Sequence, residues 1–160
     1  MKSEVIFEYD TSSRGRWGDL HNYEVKIFST FEDPTVWPFG VERRESTESD
    51  DLDEEGEAEE SVESFRISKA VFEEIKDLIA RSTELLSCAD EIYNEVWDGS
   101  SDRFYFSCDA FSKTICGESI LGSAWGEDKL PEHQRSDNYR VNGVYEKIKA
   151  ILDAQNINVL

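Results

Sequence analysis

The sequence has few of the residues from which catalytic or metal centres are built. It has two histidines, His21 and His133, and three cysteines, Cys88, Cys108 and Cys116, with no CxxC pair. That spacing excludes the usual zinc-finger pattern, and the odd number of thiols excludes a conventional disulfide framework. Cys108 and Cys116 fall on neighbouring strands of an expected hairpin and read as small, half-buried thiols. No GxSxG, GxxxxGK[ST] or GxGxxG motif occurs. Nucleophilic chemistry would have to recruit His21 or His133 as its base. No enzyme, cofactor or metal centre is therefore expected.

Positive charge is also scarce. Seventeen Lys and Arg stand against thirty-six Asp and Glu, a net charge of −19. Phosphate backbones are held by clustered Lys and Arg, so direct nucleic-acid binding is excluded, and an anionic membrane surface would repel the chain. No apolar run approaches the roughly 18 residues of a membrane span. The opening MKSEVIFEYD has no apolar segment of signal-peptide length. With unpaired thiols, the expected compartment is the cytoplasm.

What is present is a foldable body with one concentrated block of negative charge. Hydrophobic residues make up 38% and aromatics 12%, too much for a disordered chain. A chain of this length buries roughly 70% of its unfolded surface, and residues 1–160 are read as one domain. Between Glu42 and Ser64, twelve carboxylates face only Arg43 and Arg44, a net charge of −10. This density predicts an acidic, solvated loop insert over 42–64. Asp51 to Glu57 matches the start of an EF-hand loop, but Val62 occupies the position that needs a bidentate Glu.

Periodicity supplies the fold. Val5 to Tyr9 is a short apolar strand, and Tyr23 to Phe31 alternates with Tyr23, Val25, Ile27, Ser29 and Phe31 on one face. These two segments pair as a hairpin across the polar loop 10–22. Ser68 is the N-cap of a long helix that runs to about Trp97, with a break near Ser82-Thr83 or Ser87-Cys88 as the alternative. Arg103 to Cys108 and Lys113 to Leu121 form a second hairpin, and 122–135 is loop. A last helix starts between Asp137 and Gly143 and ends near Ala154. Asn156 is placed to leave it in a left-handed conformation, and 157–160 could add an edge strand. The expected fold is α+β: a two-layer sandwich of an antiparallel sheet made from two hairpins, with one long and one shorter helix on one face.

These features point to a small acidic binding protein of bacterial or phage type that inhibits or sequesters a basic protein partner, such as a nuclease or another nucleic-acid-binding protein. Two versions fit: an immunity protein that neutralises a toxin, and a DNA mimic that blocks a defence enzyme. The candidate contact residues are Glu48, Asp50, Asp51, Asp53, Glu54, Glu55, Glu57, Glu59 and Glu60. A secondary candidate is the basic–aromatic loop with Arg14, Arg16, Trp17 and His21. The competing expectation is a structural or adaptor domain whose acidic loop is only a solubilising linker, and the third is an enzyme of unknown type using His21 or His133.

Overall fold

A computed structural model describes residues 3–14, 19–30, 38–48, 59–92, 101–118, 120 and 132–160. Among these residues the architecture is mixed α+β, a seven-stranded sheet with two α-helices. The strands are β1 (Ser3–Arg14), β2 (Leu20–Thr30), β3 (Phe39–Glu48), β4 (Glu59–Arg66), β5 (Glu91–Ile92), β6 (Ser101–Ser107) and β7 (Ser112–Glu118). Their spatial order is β4-β3-β2-β1-β6-β7-β5, antiparallel except for the β5–β7 bridge. The helices are α1 (Lys69–Arg81) and α2 (Glu132–Ala154).

Both expected hairpins form, with different limits. β1 and β2 pair from Ser3↔Thr30 to Arg14↔Leu20, so regular pairing runs well into the segment expected as loop. A register shift between Val5 and Phe7 turns both Ile6 and Phe7 into the core. The β6–β7 hairpin runs from Ser107↔Ser112 to Ser101↔Glu118.

The acidic block is not simply a loop insert. Residues 42–48 belong to β3 and 59–64 to β4, paired from Gly40↔Arg66 to Thr47↔Glu59. The first hairpin is thereby extended into a four-stranded meander. Charge density alone misjudges this stretch because the two arginines sit where strand pairing uses them. Arg43 stands opposite Glu63 and reaches it at 3.5 Å, with Glu45 at 2.8 Å. Arg44 reaches Glu60 at 3.2 Å and Glu42 at 3.3 Å. Residues 49–58, with six of the carboxylates, lie outside the described residues.

The long helix expected from Ser68 to Trp97 starts as read and stops early. The Ser68 hydroxyl accepts from the Val71 N–H at 3.1 Å, capping α1. At Ser82 the backbone N–H turns to Ile79 O and the hydroxyl donates to Leu78 O at 2.7 Å. Such local bonds compete with the helical ladder, and a 3-10 turn over Thr83–Ser87 follows. The chain then enters β5, and residues 93–97 lie outside the described set. α2 begins earlier than expected, at Glu132. It ends through Asn156 at φ 60, with Ile157 N–H donating to Leu152 O at 3.0 Å. The tail 157–160 forms no strand. Instead Ile157 and Val159 are buried, and the Tyr23 hydroxyl donates to Val159 O.

One sheet face carries the core. Phe7, Tyr9, Val25, Ile27, Val41, Phe104, Phe106 and Ile115 point into it and meet Phe72, Ile75 and Ile79 of α1 and Val144, Tyr145, Ile148 and Leu152 of α2. Phe72 packs on Phe39 with ring centroids 4.9 Å apart, and Tyr145 meets Tyr9 at 5.6 Å, so both helices lie on the same side. Burial of this apolar area is the main stabilising term. None of the described helices covers the opposite face.

Candidate partner-binding surface

Strand alternation puts a second set of residues on the face without helices. Glu8, Asp10 and Ser12 of β1 sit beside Lys26, Glu24 and Asn22 of β2, then Glu42, Arg44 and Ser46 of β3. On the other side of β1 they meet Tyr105, Arg103 and Ser101 of β6. A hollow of about 310 Å³ opens here, lined among others by Asp10, Asn22, Glu24, Arg44, Arg103 and Cys116.

The charges in this hollow are arranged in local pairs. Arg103 donates to Glu8 at 2.8 Å and to Asp10 at 3.0 Å, and Lys26 pairs with Glu24. One carboxylate oxygen from each of Glu8, Asp10 and Glu24 lies within 4.8 Å of the others. Burial first, and then the neighbouring Glu8, raises the Asp10 pKa above its ordinary value, against the opposing pull of Arg103. The bond to Glu24, which outweighs desolvation, raises that of Lys26. Arg103 and Lys26 thus supply the positive charge that holds the three carboxylates together.

This cluster was absent from the sequence-derived candidates. Its signal was the period of two in β2, which puts Glu24 and Lys26 opposite the apolar face. The missing link was the register that lays Glu8 and Asp10 of β1 beside them.

The predicted contact residues divide into three groups. Glu48 closes β3, and Glu59 and Glu60 open β4, all three exposed. Glu60 is paired with Arg44, whereas no ion pair forms for Glu48 or Glu59 among the described residues. Asp50, Asp51, Asp53, Glu54, Glu55 and Glu57 lie outside the described residues, as do Arg16 and Trp17. The Arg14 backbone pairs with Leu20 at the end of β1. His21 is exposed, and its Nδ1 shares a 3.2 Å hydrogen bond with Thr47 Oγ1. Register places His21 beside Thr47 and Thr47 beside Glu59. The flanks of the basic–aromatic loop and of the acidic connection therefore lie at the same end of the sheet.

The thiols do not converge. Cys88 and Cys108 are buried, whereas Cys116 lines the open-face hollow opposite Arg103. Burial, with Asp137 nearby, pushes the Cys88 thiol up to about 11, so it is uncharged at neutral pH. Val62, at the position where an EF-hand needs its last carboxylate, is an exposed hydrocarbon on β4. No helix among the described residues is long and apolar enough to cross a membrane.

No protein-family pattern matches the chain, and no curated protein matches its sequence.

Proposed function

We propose that the chain is a single-domain, cytoplasmic binding protein, not an enzyme, that captures and inhibits a basic protein by electrostatic complementarity. The observation that supports this is the charge of the β3–β4 segment. From Phe39 to Arg66 it carries twelve carboxylates against three arginines, a net charge of −9. Arg43 and Arg44 are engaged by the protein's own Glu42, Glu45, Glu60 and Glu63. Of the remaining carboxylates, the described Glu48 and Glu59 are exposed at one end of the sheet, at the two ends of the 49–58 connection that carries the other six. A field of one sign speeds encounter with a cationic surface and falls off within roughly 8 Å at physiological ionic strength.

The partner class that fits is a nuclease or another nucleic-acid-binding protein, whose basic groove would otherwise hold phosphates. Toxin neutralisation and DNA mimicry use the same chemistry here. A purely solubilising linker draws less support, because both flanks of the acidic connection are paired strands.

The test changes Asp50, Asp51, Asp53, Glu54, Glu55 and Glu57 to their amides, which leaves β3 and β4 untouched. A basic protein captured from the host at low salt is purified, and its association rate is measured at low and high ionic strength. The expected result is an association slowed by about tenfold and less sensitive to salt, with an unchanged melting temperature. Equal rates and equal salt dependence for both proteins would end this reading.

A further inference from the structure

We infer that the free edge of β4 takes up an extended cationic segment of the partner as an eighth strand of the sheet. The inference rests on the reading of the acidic segment as the docking surface, and adds how the partner's backbone is held.

β4 is the last strand in the sheet order and, among the described strands, pairs only with β3. Eight residues, Glu59 to Arg66, are presented in regular register, without a bulge. Natural edges are blunted by proline, lysine, a bulge or a covering element, and by other charged side chains; those of β4 are mainly Glu59, Glu60 and Glu63, which repel an acidic strand and attract a cationic one. None of the first three occurs in Glu59 to Arg66, and six of its residues in a row, Glu59 to Ser64, are exposed. The opposite edge, β5, is only two residues long. The N–H and C=O groups that β4 turns away from β3 are therefore a template for a further strand.

Side chains state which strand fits. Glu59, Ser61 and Glu63 lie on one face, and Glu60 and Val62 on the other. A complementary strand carries Lys or Arg against Glu59, and against Glu63 and Glu60, which each meet an arginine through one carboxylate oxygen and stay about half exposed, with a small polar residue against Ser61 and an apolar one against Val62. Val62, 49% exposed, supplies the apolar contact. Opposite charges directly across a strand pair are favourable and like charges are not. A second copy of the chain is the poorer occupant, since each copy carries a net charge of −19.

The probe is a synthetic peptide as long as β4 with lysine at the positions that face Glu59, Glu60 and Glu63, threonine at the one facing Ser61 and valine at the one facing Val62. Two further versions carry backbone N-methyl groups on one edge or on the other, with charge unchanged. Binding to the full chain is followed by titration and by amide hydrogen exchange. The expected result is binding of the plain peptide, with exchange of alternate β4 amides slowed by about tenfold or more. One N-methylated version keeps this effect and the other loses it. If both methylated peptides bind as well as the plain one and β4 exchange is unchanged, strand addition is overturned while capture by charge stands. Failure of all three peptides to bind overturns strand addition, and the amide variant of residues 50–57 then decides separately whether charge-driven capture survives. Concentration-dependent protection of β4 in the free protein overturns it too, by assigning the edge to a second copy.

Discussion

The carbonyl oxygen of Ile92 lies so close over Gly117 that a Cβ at that position would overlap it. This contact sits where β5 runs parallel to β7, with Glu91↔Cys116 and Ile92↔Gly117 in register. A methyl group would also press on Ile92 Cβ at 3.1 Å and Ile120 Cδ1 at 3.0 Å. Gly117→Ala should destabilise the protein by about 2 kcal/mol, as overpacking against a backbone carbonyl does. Urea unfolding measures it, and an unchanged midpoint would show that the β5 bridge gives way freely.

Gly143 is the opposite case. It lies inside α2, and a Cβ there would meet nothing within 4 Å. Gly143→Ala should stabilise by about 1 kcal/mol through the lower entropy of the unfolded chain. Thermal unfolding should show a rise of roughly 2–4 °C; a fall would mean that the helix is not regular at this point.

Asp102 is a carboxylate only 2% exposed on the core face of β6. It accepts hydrogen bonds from Thr11 Oγ1 and from the Ile120 N–H, both at 2.7 Å. Through the second bond it ties the segment after β7 to the sheet. Asp102→Ala should cost about 2 kcal/mol, because the buried Ile120 N–H loses its acceptor. In an exchange experiment the Ile120 amide should lose protection before the neighbouring strands do. Wild-type stability in the variant would show that the carboxylate is dispensable.

Asp10 gives a pH signature. Its folded pKa is raised above 3.8, by burial first and Glu8 second. Between the unfolded and folded values the native state therefore binds the extra proton, and stability falls as pH rises through that window. Asp10→Asn should lose less stability than the wild type when the pH is raised from acidic to neutral. Denaturant midpoints at both pH values measure the difference. An equal or larger loss in the variant would place the shift elsewhere.

Much of the frame was legible from periodicity. The alternation of Tyr23 to Ser29, the cap at Ser68, the hairpin expected around residues 109–112 and the left-handed Asn156 all act locally, so short windows of sequence reveal them. Long-range pairing was not legible. Nothing in Glu59 to Arg66 reads as a strand until β3 is laid beside it and Arg43 meets Glu63. The end of α1 at Ser82 was visible only as an alternative, because the apolar spacing continues through Leu85 and Ile92, which are buried without belonging to a continuous helix. The open-face cluster needed the β1–β2 register, which joins residues from two separate windows.

The position of β1 has a consequence for how the chain is made. β1 is flanked by β2, which follows it at once, and by β6, whose Phe106 stands opposite Phe7. As the chain leaves the ribosome, the first four strands can assemble while the far side of β1 has no neighbour. The backbone N–H and C=O groups along that edge stay unpaired, and Phe7 and Tyr9 lack their Phe106 and Phe104 neighbours, until residues 101–107 emerge. Nascent chains halted before that point should be the ones that stick to one another or to chaperones.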